Sequence, residues 1–211
     1  MAVNILVIIL SYLIGAIPLG LVLVRVIRRV DIRDYGSGKI GATNVLRMLG
    51  IPAAVGVFAF DAGKGVFAVL LARALGDLVW VEAVAAFAAV LGHNWSVFIR
   101  FSGGRGVSSA LGALLVMTPI WGLVALCFGF LIVWASRYVS LGSLLGGAAA
   151  VILLFVAAMR GHEPWEYFSY AAIAVALIWV QHHDNIGRLM HGKERRLGEP
   201  PERRVTGGRG A

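Results

Sequence analysis

The sequence predicts an all-α polytopic membrane protein with seven transmembrane helices, N-terminus outside and C-terminus cytoplasmic. Three observations carry this: a charge-poor composition, apolar runs of crossing length, and cations gathered on alternate connections. Of 211 residues, 59% are hydrophobic and only 14% charged, against about 25% charged in an average soluble domain. Mean hydropathy is +0.84, and the charges fall in clusters between long apolar stretches.

The first apolar stretch has no basic residue before it, and its cations, Arg25, Arg28 and Arg29, follow it. A secretory signal has the opposite polarity, so this reads as a retained helix. Further apolar runs lie at roughly 51–75, 79–99, 108–135, 139–159 and 165–181. All fit one crossing except 108–135, which as one helix would measure ~42 Å. Thr118-Pro119 lies near its middle, and the residue before a proline resists helical geometry. Two short helices joined by a tight outer turn give seven spans. The count places Arg33, Lys39, Arg47, Arg100, Arg105, Arg137, Arg188 and Lys193 inside, as the positive-inside rule requires. Asp77, Glu82, Glu163 and Glu166 fall on the other side. Residues 1–194 read as a single transmembrane domain, and 195–211 as a flexible polar cytoplasmic tail.

The formal net charge of +8 would suggest nucleic acid in a soluble protein. Here it reads as the cytoplasmic Lys/Arg excess, compatible with a site for an anionic substrate. The single Cys127 excludes an intramolecular disulfide, and a thiolate within an apolar span is strongly disfavoured.

Five polar clusters converge on the predicted inner face. GSGKIGATNVLR, residues 36–47, follows a transmembrane helix, whereas a dinucleotide fingerprint needs a preceding strand, and no Gly-Lys-Ser/Thr closes a Walker loop. What remains is an anion-binding loop, in which Gly36 and Gly38 free backbone amides and Ser37, Thr43, Asn44 and Arg47 add side chains. The alternative is a connector whose Thr43-Asn44 caps the next helix. In FDAGKGV, Asp61 and Lys64 are spaced to pair on one helix face; charges inside a span are functional by default, and Lys64 is favoured over Asp61 as a substrate contact. Gly103-Gly104-Arg105-Gly106 opens a helix, bringing a helix N-terminus and a guanidinium to one place, which suits a phosphate. His93, just upstream, reads equally as an interfacial hydrogen-bonded histidine. Ser140 and Ser143 form the fourth cluster, a weak signal because hydroxyls often bond backbone carbonyls. In QHHDNIGRLMHGKE, His182, Asn185 and Arg188 share one helical face; a basic interfacial helix is the alternative. Together the clusters describe an interfacial enzyme whose substrate carries phosphate in water and an apolar part in lipid.

Taken together, GSGKIGATNVLR, DAGKG, GHN…GGRGV, SLGS and HHDNIGRLMHGKE, in this order and spacing from residue 1 to about 195, resemble the bacterial acyl-phosphate:glycerol-3-phosphate acyltransferases, the PlsY-type family. The resemblance implies a seven-helix inner-membrane enzyme that moves a fatty acyl group from acyl phosphate to the sn-1 hydroxyl of glycerol 3-phosphate. It carries over Ser37 and Arg47, the 103–106 loop, and His182, Asn185 and Glu194. Ser37, Arg47, Lys64 and Arg105 would hold phosphates; His182 and Asn185 would orient the acceptor, His182 being the one general base that motif offers; Glu194 would be a structural ion-pair partner. The implied partners are acyl phosphate, glycerol 3-phosphate, membrane lipids and the enzyme that produces acyl phosphate. No cofactor, metal or nucleic acid is implied. The His-x4-Asp motif of acyl-CoA-using glycerolphosphate acyltransferases is absent, since no histidine has an aspartate five residues later. Arg105 stands where the family usually has lysine, Ser96 where it has proline, and His183 where arginine is common, which leaves room for a paralogue acting on another phosphorylated acceptor. An anion transporter is the reading from a different class, but the outer halves of the spans are almost wholly apolar.

Overall fold

A computed structural model describes residues 1–76 and 78–203. Asp77 and residues 204–211, the end of the expected tail, lie outside the described residues. The described chain is all-helical: α1 (Ala2–Gly15), α2 (Leu19–Arg28), α3 (Ala42–Leu49), α4 (Ile51–Leu75), α5 (Val79–Asn94), α6 (Val107–Met117), α7 (Pro119–Ser136), α8 (Val139–Met159), α9 (Trp165–Gln181) and α10 (His183–Met190). Four segments are long and apolar enough to cross a membrane: Ala2–Arg28, Ile51–Leu75, Pro119–Ser136 and Val139–Met159. Helices α5 and α6 are apolar but shorter.

Breaks fall where backbone chemistry demands them. The 108–135 run divides at Thr118, which ends α6 and precedes Pro119 at the start of α7. The first run also divides, at Ala16-Ile17-Pro18, because proline withholds an amide and its ring blocks continuation. The carbonyls this frees are bonded from elsewhere: Ser96 Oγ donates to Ala16 O (2.5 Å) and Lys64 Nζ to Ile17 O (2.7 Å).

The bundle is packed on small residues, with the large ones turned outward. Its fully buried positions are rich in alanine (Ala68, Ala85, Ala86, Ala89, Ala113), whereas Ile120, Phe130, Trp134 and Ile152 are exposed. Lipid tails are as apolar as leucine, so helices associate through close backbone approach at small residues. Glycine provides that approach twice. A Cβ at Gly65 or Gly112 would strike the facing backbone of α6 or α4, at Ser109 O and Ala62 O. Gly15 and Gly92 do the same between α1 and α5, against Ala89 and Tyr12 O.

Between α2 and α3 the chain makes a compact loop over a small core of Leu21, Val24, Ile32, Ile40, Val45 and Val57. Residues 195–203 return to this end of the bundle. Leu197 N–H donates to Arg137 O (2.7 Å), Arg137 Nη2 donates to Leu197 O (3.2 Å), and Gly36 N–H donates to Glu202 O (2.9 Å).

Candidate active site

A cavity of about 470 Å³ opens among α3, α4, α6, α7, α8, α9 and α10. One end is polar, lined by Ser37, Lys39, Thr43, Asn44, Arg47, Arg105, Gly106, Ser140, Ser143, His182, Asn185, Arg188 and Glu194. The rest is apolar, walled by residues such as Val55, Phe58, Leu111, Leu126, Phe130 and Val175.

The first loop reaches the cavity through side chains. Gly36 and Gly38 adopt positive φ (57° and 70°), but their amides are bonded to backbone carbonyls. Gly36 N–H goes to Glu202 O and Gly38 N–H to Tyr35 O, and neither glycine is among the lining residues. Asn44 does not cap α3, which starts at Ala42 with Gly41 as its N-cap. It is buried, and its Nδ2 donates to Ile32 O, Tyr35 O and Lys39 O at 2.9 to 3.2 Å. That staple sets the loop around Ser37, whose Oγ accepts from Lys39 N–H at 3.4 Å. Thr43 and Arg47 then face the cavity from α3.

The second glycine loop owes its composition to packing. A side chain at Gly103 would strike His93 O and Asn94 O, and one at Gly104 would strike the His93 ring. Gly104 N–H donates to His93 O at 2.9 Å, so the loop lies flat on the end of α5. Gly106 turns at φ 80° to start α6. Only Arg105 and Gly106 of the four line the cavity. Beneath them, Lys64 is not a lining residue while Asp61 and His93 are, the reverse of the preference read from sequence. Lys64 Nζ donates to Asp61 Oδ1 (2.6 Å) as well as to Ile17 O, with both side chains almost fully buried. His93 Nδ1 lies 3.5 Å from Asp61 Oδ1, an electrostatic contact without a hydrogen bond.

The last motif supplies acceptors. Glu194, buried, takes Ser140 Oγ (2.9 Å) and Asn185 Nδ2 (2.6 Å) on Oε1, and Arg188 Nε (2.8 Å) on Oε2. This carboxylate joins α8 to α10 and turns the Asn185 amide so that its buried Oδ1, which has no partner among the described residues, points away from Glu194. Ser143 instead bonds back to Val139 O (2.9 Å).

His182 Nδ1 is 2.8 Å from Ile178 O. A carbonyl only accepts, so Nδ1 carries the proton. Burial, then the Arg105 charge, lowers the His182 pKa to about 4. The ring is therefore neutral at pH 7, with Nε2 bare. Burial first, then Arg188, likewise lowers Arg105 to about 10, and burial first, then Arg195, lowers Arg47. Both guanidiniums stay charged, and among the described residues neither is within ion-pair distance of a carboxylate. The polar end thus divides its work: guanidiniums that pair with no carboxylate among the described residues suit phosphate, and His182 Nε2 and Asn185 Oδ1 suit hydroxyl donors. The ring titration of His182 in the substrate-free protein is expected near pH 4, read by NMR of labelled histidine. A midpoint near 6.5 would contradict its burial beside Arg105. Because the folded value lies below the unfolded one, the stability His182 contributes is complete above about pH 6.5 and is lost as pH falls toward 4.

Comparison with known proteins decides the family. The glycerol-3-phosphate acyltransferase family profile matches residues 5–192. The chain belongs to that family. A glycerol-3-phosphate acyltransferase of Thermus thermophilus is 46% identical over 195 residues, covering 92% of this chain and 96% of the relative. Glycerol-3-phosphate acyltransferase 1 of Deinococcus radiodurans is 46% identical over 190 residues, covering 90% and 93%. The crystal structure of PlsY (YgiH), an integral membrane glycerol 3-phosphate acyltransferase, in its glycerol 3-phosphate form superposes with TM-score 0.86 at 38% identity, covering 92% of this chain and 96% of that one. Its lysophosphatidic acid form gives 0.83 at 37% identity, covering 92% and 95%. Membership accords with a helical membrane acyltransferase. Sequence reading missed two cavity-lining cations, Lys39 and Arg195, which counted only as inside charges; for Lys39, its place within the glycine loop, two residues after Ser37, was the available signal.

Proposed function

We propose that this acyltransferase moves a fatty acyl group from acyl phosphate to the sn-1 hydroxyl of glycerol 3-phosphate, giving lysophosphatidic acid and phosphate. The observation that carries this is the division of one cavity: cations and hydroxyl acceptors at one end, a long apolar wall at the other. A substrate that is part phosphate and part acyl chain fits both ends at once. The relatives' names and the neighbour's glycerol 3-phosphate and lysophosphatidic acid forms support the same acceptor and product.

Acyl phosphate is an activated mixed anhydride, so no covalent enzyme intermediate is needed and the protein's task is alignment and charge stabilisation. Ser37, Arg47 and Arg105 hold phosphate. Asn185 Oδ1 and His182 Nε2 accept hydrogen bonds from glycerol hydroxyls, and the hydroxyl oxygen attacks the acyl carbonyl carbon. Its proton passes to His182 Nε2 or to a phosphate oxygen, the carbonyl reforms, and phosphate leaves. Glu194 positions Asn185, while Asp61 and Lys64 support the floor.

The proposed topology has seven crossings, α1 with α2 counting as one, the N-terminus outside, and α3 and α10 at the inner surface of a bacterial plasma membrane. In that frame α6, 11 residues long, spans only ~16 Å of a hydrocarbon layer about 30 Å thick. Its leading loop, with Arg105, is thereby sunk below the inner interface, where an acyl carbonyl can meet it.

The test supplies reconstituted protein with labelled glycerol 3-phosphate and, separately, acyl phosphate, acyl-CoA or acyl carrier protein. Lysophosphatidic acid from acyl phosphate alone is expected. Turnover only with a thioester would reject the donor assignment, and acylation of a different phosphorylated acceptor would reject the acceptor.

A further inference from the structure

The cavity follows α9 along a row of residues spaced by four. His182, Ile178, Ala174 and Tyr170 all line it, and each adjacent pair shares a helix face. His182 stands at the reacting end. Tyr170 lies ~18 Å further along the axis, at about 1.5 Å of rise per residue. One leaflet of hydrocarbon is about 15 Å deep, half of a layer about 30 Å thick. The row therefore suits an acyl chain of membrane length.

The far end of the row is blind. Among the described residues, Tyr170 is the last of α9 to line the cavity, and Leu114, Ala125 and Ala150 close it from α6, α7 and α8. All four are buried in one apolar cluster. Two of them are alanines, so the phenol ring is the main obstruction. Tyr170 is 3% exposed, and its hydroxyl donates to Ala110 O (3.1 Å). A buried phenol needs such an acceptor, and this one fixes the ring at its tip as well as its base. Tyr170 also lines a second apolar groove of about 320 Å³ between α5 and α9, with Trp80, Phe87, Trp165 and Ile173. The same side chain thus stands between two spaces.

We propose that Tyr170 sets the upper limit of acyl-chain length by stopping the methyl end of the chain. This rests on the acyltransferase reading, in which the chain lies along the apolar wall. A chain that overruns the row must displace a packed, hydrogen-bonded ring, and close-packed interiors resist added methylenes. The full chain, reconstituted, is assayed with glycerol 3-phosphate and saturated acyl phosphates from decanoyl to docosanoyl. Wild type is expected to lose about tenfold or more in kcat/KM at the first chain that overruns, the range for one methylene in an apolar pocket. Tyr170→Ala moves that limit to longer chains, with the KM for glycerol 3-phosphate unchanged. Tyr170→Phe keeps the ring and keeps the limit. Ala174→Leu fills the row one turn nearer His182 and moves the limit to shorter chains, an independent test if Tyr170→Ala does not fold. A merely structural tyrosine would lower activity alike at every chain length.

A second measurement needs no turnover. Alkyl phosphates of the same lengths, which cannot donate an acyl group, are bound to the chain in lipid nanodiscs and read by the rise in melting temperature. The limit is expected at the same length and moves with the same substitutions. A profile that is flat in wild type, or that stays put in folded Tyr170→Ala or Ala174→Leu, overturns the stop. A wild-type protein that shows the limit in binding but makes no lysophosphatidic acid sinks the acyltransferase reading while leaving the stop intact.

Discussion

Arg105→Met is expected to lower turnover by about 10² to 10³-fold, the usual consequence of removing one preorganised group that stabilises developing charge, while raising the melting temperature by a few degrees. The two signs follow from one fact. Arg105 is held among other cations, with the carbonyl of Gln181 as its hydrogen-bond acceptor, and burial is the main cause of its lowered pKa. A folded protein without substrate bears that desolvation cost and receives little for it, so an apolar side chain of similar length relieves the fold. The assay is turnover with both substrates, beside a thermal melt in the same detergent. A variant that melts earlier yet keeps its rate would make Arg105 a structural tie to Gln181 rather than a phosphate ligand.

The second large effect concerns stability. Asp61→Leu alone, or Lys64→Met alone, should cost about 3–5 kcal/mol, the range for breaking a buried ion pair by removing one partner. The double variant should recover most of that loss, because two apolar side chains leave no charge stranded in the bundle. Both side chains are at most 3% exposed and the pair is 2.6 Å apart. Melts of the four proteins close a thermodynamic cycle. Purely additive losses would mean that Lys64 matters mainly through Ile17 O, as the clip on the break between α1 and α2.

Much of this architecture was legible from residue order alone, and the gaps have physical causes. Thr118-Pro119 announced its break because the run around it was too long for one crossing. Pro18 carried the same information, but the first run had the length of a single helix, and hydropathy is blind to where the backbone turns. Asn44 looked like a cap by its place at a helix start; only the fold shows three carbonyls converging on it from residues 32 to 39. Gly36 and Gly103 looked like anion-binding glycines. The fold uses them for turning and for close packing, and it is their neighbours that line the cavity. The pairing of Asp61 with Lys64 followed from spacing, whereas which of the two reaches the cavity depends on rotation of α4, set by Gly65 against Ser109. Asn185 and Glu194, nine residues apart, needed α10 to be seen before their bond could be.

The stitching of residues 194–202 onto the rest of the bundle bears on the order of events during synthesis. Glu194 turns the Asn185 amide, Leu197 is tied to the start of α8 through Arg137, and Glu202 takes the amide of Gly36. A chain still on the ribosome, with its spans already inserted, would lack these late residues in the membrane. Its first loop and the Asn185 amide would both be unset. Such a nascent chain can hold lipid around it but has no finished reaction chamber, so completion of the chamber waits on residues 194–202 rather than on insertion of the spans.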